Sequence, residues 1–258
     1  MDRPAYRAFT DRLLASLSAD ARVLGLIACG SMAGRDTQPD DWSDHDFLVV
    51  VAPGVQEELR NHLGWLPDPG RVVCQFRETA HGVKVVYDDG HLLEFAVFDP
   101  DELHLARINQ YRILLDRSDL ARRMEQIVGA TVEAVRAEAR DDSFRIGQVL
   151  TGVLVAHGRW VRGERLSARF YLIDQALTEL VRLLERYVPA GSAVLDNLSP
   201  LRRFEFAYGA LGAALNEVLD RPLPAAAAGL LELAERELSG RMPRFPAAAL
   251  EAVRRRIR

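Results

Sequence analysis

Asp44 and Asp46 flank a histidine at the head of an apolar run, Phe47 to Val51. Runs of this length bounded by turn residues read as buried strands. Side chains on a strand alternate faces, so Asp44 and Asp46 share one face and His45 takes the other. Two carboxylates one strand-step apart repel each other and resist burial. A cation between them removes both penalties, and an all-oxygen site suits Mg²⁺. The plainer alternative is an Asx-turn ahead of an ordinary strand. Upstream, the apolar run Val23 to Cys29 ends in Gly30-Ser31, and a polar loop rich in Gly and Asp joins the two runs. Glycine lets backbone approach a ligand closely, and N–H groups with a serine hydroxyl can bind phosphate oxygens. A further acid, Glu94, stands alone in the apolar run Leu92 to Phe98. A lone carboxylate there faces water or is paired with a charge.

Gly30-Ser31 closing one strand, then roughly a dozen residues, then Asp44-His45-Asp46 opening the next resembles the signature of the nucleotidyltransferase superfamily that includes DNA polymerase β. That family places a third carboxylate on a later strand. Glu94 is the matching position, with Glu where many relatives have Asp. Tyr87-Asp88-Asp89-Gly90 leading into Leu92–Phe98, then Phe98-Asp99-Pro100 and Ile113-Leu114-Leu115-Asp116, look like the antibiotic-modifying branch. This branch, the aminoglycoside nucleotidyltransferases, follows its catalytic sheet domain with a helical bundle. The resemblance covers residues 22–116 by motif, and the rest only in kind.

The resemblance implies an enzyme and an activity. A hydroxyl of a small acceptor such as an aminoglycoside attacks the α-phosphate of ATP in line, and pyrophosphate leaves. It implies that Asp44 and Asp46 bind Mg²⁺, and that Glu94 completes the metal site, acts as base, or does both. Gly30, Ser31 and Arg35 would meet the triphosphate, with Lys84 a weaker candidate. Two other readings stand beside this one. The acceptor could be a protein or an RNA, as in antitoxin-like relatives. Or the chain could be a catalytically idle relative that binds nucleotide. Other nucleotide and metal signatures are missing: no P-loop, no Gly-x-Gly-x-x-Gly, no His-x-x-x-His and no Cys-x-x-Cys occurs.

Positioning these residues takes a sheet. Residues 4–19 carry Tyr6, Phe9, Leu13 and Leu17 at helical spacing, and 55–65 read as a second helix. The runs 71–77, 83–87, 92–98 and 111–115 read as further strands, with Asp88-Asp89-Gly90 a hairpin turn between two of them. The expected fold is therefore an α/β domain, residues 1–117, with a mixed sheet of about five strands and flanking helices. After Asp116 the pattern turns to long 3.6-residue periods. Residues 118–258 read as an all-α bundle that shapes the acceptor site, the first helix capped by Ser118 or Asp119. Arg159, Arg162 and Arg165 crowd one helix end, where a solvated surface is the plainer reading.

Of 258 residues, 48% are hydrophobic and 27% charged, the make-up of an ordinary globular protein. Residues 1–117 hold 12 basic and 19 acidic side chains, a net of −7, and residues 118–258 hold 21 and 18, a net of +3. The acidic half argues against a nucleic-acid track there and suits a cationic acceptor. Cys29 and Cys74 both lie in apolar runs and are expected to be buried thiols. No run reaches the length of a membrane span and no signal-peptide core opens the chain, so the expectation is a cytoplasmic protein with no membrane partner.

Overall fold

The computed structural model describes residues 1–34, 38–137, 140–191, 196 and 198–258. The first helix, α1, spans Arg3–Ala19. Asp2 caps it by accepting a hydrogen bond from the Ala5 N–H at 2.9 Å, and Pro4 suits the first turn, where no N–H is needed. Strands follow at Val23–Cys29 (β1) and His45–Val51 (β2), with a 3₁₀ turn at Gly30–Ala33 between them. Helix α2, Gln56–Asn61, leads to β3 (Val72–Arg77), β4 (Gly82–Tyr87), β5 (Leu92–Phe98) and β6 (Tyr111–Asp116). The helices after these are α3 (Leu120–Ala137), α4 (Asp142–Val161) and α5 (Arg165–Phe170). A π-helical stretch, Tyr171–Leu177, then leads into α6 (Thr178–Tyr187). Helices α7 (Phe204–Leu219), α8 (Leu223–Leu238) and α9 (Ala247–Ile257) complete the chain. The architecture is thus a mixed sheet with flanking helices followed by a helical region.

The sheet has six strands in the order β3-β4-β5-β2-β1-β6. Only β2 and β5 pair in parallel, and they hold the centre. On one face Leu13 and Leu17 of α1 pack with Leu26, Phe47 and Leu93 of the sheet, all fully buried. On the other, Ile27, Leu48, Val50 and Phe98 pack with Leu103, Leu120, Met124 and Ile127. Each such side chain contributes about 1.5–3 kcal/mol through loss of contact with water. Covering both faces explains why β1 and β2 are near-continuous apolar runs and not alternating ones.

Four expectations need correction. The chain divides into compact units at Met1–Arg136 and Ala137–Arg258, so α3 belongs with the sheet and not with the bundle. Its apolar stripe of Leu120, Met124 and Ile127 completes the core on the second face of the sheet. The helix is introduced by Asp116, whose carboxylate accepts from the N–H groups of Ser118 and Leu120, and not by Ser118 or Asp119. The reading of 55–65 as one helix is too long: α2 stops at Asn61, and the Trp65 indole folds back to donate to the Leu59 carbonyl at 3.0 Å. Cys29 is buried but Cys74 is exposed, because β3 is an edge strand with a bare surface.

Among its described residues the second unit consists of helices and the turns that join them. Helix α4 packs against α5, the π-helical stretch, α6, α8 and α9. Its Val149 and Val153 meet a core that includes Leu180, Leu183, Leu184 and Leu230. No helix among the described residues is long and apolar enough to cross a membrane.

Candidate active site

Parallel pairing sets the geometry. Asp46 of β2 stands opposite Glu94 of β5, and Glu94 stands opposite Lys84 of β4. Register partners present their side chains on the same face, so Asp46, Glu94 and Lys84 form one row across three strands. His45 takes the opposite face and is fully buried beneath α1. Asp46 and Glu94, far apart in sequence, are therefore on the same side of the sheet and one strand spacing apart. Asp44 precedes the strand, and its carbonyl accepts a 2.7 Å hydrogen bond from the Tyr6 hydroxyl.

The three acids do not close into a cage. Among the described residues no group of three His, Cys, Asp or Glu side chains is arranged to hold a metal ion. Glu94 is instead turned to the ammonium of Lys84, 3.0 Å away, and that ammonium also meets Glu78 at 2.8 Å. These two acids raise the Lys84 pKa, Glu78 more than Glu94. Lys84 is the chain's only lysine, and it stands where a cation satisfies Glu94. The donor set still fits a hard divalent ion. All donors are oxygen, and strands about 4.8 Å apart put Asp46 and Glu94 within the span of one ion.

The Gly30–Ala33 turn abuts this row. Gly30 has φ +49°, and a Cβ placed there would sit 3.1 Å from Asp46 Oδ2. Glycine thus leaves open the space beside the carboxylate. Ser31 Oγ is buried, and among the described residues the Tyr6 hydroxyl is the side-chain group close enough to interact with it. A buried serine hydroxyl next to a left-handed turn is a fitting cradle for a phosphate oxygen. Arg112 of β6 donates to the Met32 carbonyl at 3.2 Å, bringing a permanent positive charge to the same turn. Arg35 lies outside the described residues.

Behind the row is a buried polar chain. The Thr10 hydroxyl donates to the Tyr6 carbonyl at 3.1 Å, so at 2.9 Å it must accept from His45 Nε2. His45 Nδ1 is then bare and accepts from His91 Nε2 at 2.8 Å. The network thereby assigns both tautomers. Tyr6 stacks on the His45 ring, with centroids 3.7 Å apart. Burial raises the Tyr6 pKa, with Asp44 and Asp46 adding to the rise and Ser31 opposing it. Burial also raises the Cys29 thiol, with the Asp46 charge helping.

Burial, with the neighbouring His91 second, pushes His45 down to about 3. His91 is lowered too, first by burial. The unfolded chain carries ordinary histidines near 6.5 and so binds more protons than the folded one below that pH. The neutral pair costs no stability above pH 6.5, and stability falls as the pH drops from there toward 3. His45 alone is expected to make the sheet unit about 2 kcal/mol less stable at pH 5 than at pH 7.5. Urea unfolding at a series of pH values checks this, and a flat profile from pH 5 to 7.5 contradicts the neutral pair.

Two of these residues were not singled out by the sequence as site groups. Tyr6 reads as one more member of α1's apolar stripe, and Arg112 as an isolated basic residue in a strand. No local spacing signals a side chain that reaches a backbone carbonyl 38 or 80 residues away.

The sequence matches no protein-family profile and no curated protein. Among solved structures, the chain is similar to an aminoglycoside 6-adenyltransferase from Bacillus subtilis. The identity is 11% and the TM-score 0.31, over 95% of this chain and 89% of that one. A likeness at that score carries no argument about fold or chemistry.

Proposed function

We propose that this chain is a Mg²⁺-dependent nucleotidyltransferase. It moves AMP from ATP onto a hydroxyl of a small, cationic acceptor such as an aminoglycoside and releases pyrophosphate. The observation that carries the reading is the Asp46–Glu94 register pair, with the Gly30-Ser31 turn against Asp46. Asp44, Asp46 and Glu94 would hold the metal, which when bound supplies neutralisation of charge on the phosphoryl oxygens. The Gly30 and Ser31 N–H groups and the Ser31 hydroxyl bind the triphosphate, and Arg112 adds charge at the turn. Glu94 takes the proton from the acceptor hydroxyl once the Lys84 ammonium has moved off it and remains paired with Glu78 alone. The net negative charge of residues 1–117 favours a cationic acceptor.

The test is pyrophosphate release by purified protein with Mg²⁺, ATP and a panel of aminoglycosides, and its loss in Asp44→Ala. No release with any triphosphate and acceptor removes the reading. The Lys84–Glu94 ion pair favours a second one, a nucleotide-binding relative without catalysis, in which the ammonium permanently replaces a metal. Calorimetry showing ATP binding that does not require Mg²⁺ would select it.

Lys84→Met separates the two. If Lys84 and Mg²⁺ compete for Glu94, the variant is half-saturated at about three- to tenfold lower Mg²⁺. Folding stability should change by less than about 1 kcal/mol, because the pair is partly exposed. An unchanged or higher Mg²⁺ requirement rules out the competition.

A further inference from the structure

In the second unit, α4 and α9 pack together. Residues of both line an open cleft of about 650 Å³. Its polar lining is His157, Arg159, Arg162 and Arg256, and its apolar wall includes Leu154 and Val161. No acid lines it. Arg159 and Arg162 share one carboxylate, Glu164, which meets Arg162 Nε at 3.0 Å. On α9, Arg254 reaches Glu235 and Glu251, and Arg255 reaches Glu251. Arg256, next in line, has no acidic partner among the described residues. Three guanidinium groups against one carboxylate leave the cleft with a net charge of about +2. Arg165 takes no part in it, stacking 3.7 Å above the Trp160 ring.

A helix C-terminus attracts basic residues without any ligand. That does not account for the apolar wall, where Val161 is 71% exposed. Nor does it account for two buried polar atoms without hydrogen-bond partners among the described residues, His157 Nδ1 and Arg159 Nε, both on cleft residues. Such orphans are uncommon in folded proteins, and each calls for an explanation, a bound water or ion among them. Guanidinium forks match tetrahedral oxyanions, and a dianion balances the charge. One compact cleft, in a half of the chain whose net charge is only +3, does not fit a nucleic-acid backbone track.

We propose that this cleft binds a small organic phosphate, the phosphate held by Arg162 and Arg256 and the apolar body lying against Leu154 and Val161. The site is independent of the proposed transfer chemistry and needs no metal. The test uses phenyl phosphate and inorganic phosphate as probes, titrated calorimetrically into the full chain in EDTA. Phenyl phosphate is expected to bind roughly threefold or more tightly than inorganic phosphate, because only it has a body to bury. The double variant Arg162→Gln, Arg256→Gln should bind it about tenfold or more weakly. Both side chains are exposed, so the fold should survive, and an unchanged thermal midpoint verifies this. Asp44→Asn with Asp46→Asn should bind it as the natural chain does. Equal affinity for the two probes overturns the apolar half of the proposal. No saturable binding, no loss in the arginine variant, or loss in the aspartate variant overturns the whole.

Discussion

Asp46→Asn is expected to lower pyrophosphate release by about a thousandfold or more while leaving the fold intact. Asparagine keeps the size of aspartate but removes its charge. It cannot share a divalent ion with Glu94, its register partner on β5. The same substitution lowers the negative charge around Asp44 and around the buried Tyr6 hydroxyl. The thermal midpoint should therefore hold or rise, since like charges at the head of β2 no longer repel. Activity and stability thus move independently, which a merely structural aspartate would not produce. A variant that keeps a tenth of the natural rate places the chemistry elsewhere.

Gly30→Ala should have the second largest effect, about a hundredfold loss of activity together with about 1 kcal/mol of stability. The stability loss follows from φ +49°, where an L side chain is strained. The activity loss follows from the new Cβ, which would stand 3.1 Å from Asp46 Oδ2 and displace the carboxylate. Gly34→Ala is the control. Its φ is +67°, so the strain is similar, but among the described residues its Cβ would meet only Gln38 Nε2 at 3.8 Å. Gly34→Ala should lose stability and keep activity. If both variants lose activity alike, the turn matters only as backbone. Pyrophosphate release and thermal unfolding, measured side by side, decide between these outcomes.

What the sequence made legible is what local pattern encodes. The apolar runs around β1 and β2, the Asp-Gly turn before β5 and the long helical periods of the second half each follow from side-chain alternation or turn chemistry. Glu94 stood out because a carboxylate is costly in an apolar strand. What stayed hidden depends on contacts distant in the chain. The Leu120, Met124 and Ile127 stripe fits a helical bundle as well as it fits the back of a sheet. Only packing shows which core it completes. An exposed edge strand such as β3 has the same apolar text as a buried one, so Cys74 read as a core thiol. Lys84 read as a weak phosphate candidate, and its pairing with Glu94 required knowing that β4 and β5 are neighbours in that register. Buried Arg60 was silent for the same reason: it ties α2 to the end of β5 through the Val97 carbonyl and to Glu102.

The bond between His45 and His91 has a meaning beyond its pKa. His45 opens β2, and His91 is the residue just before β5. Joining them at 2.8 Å fixes where one strand starts against the other. A slip of one residue would swing Glu94 to the far side of the sheet and bring Leu93 up beside Asp46. The two imidazoles therefore act as a latch against misalignment, and the length of the turn before β5 is as much a part of the reactive apparatus as the acids themselves.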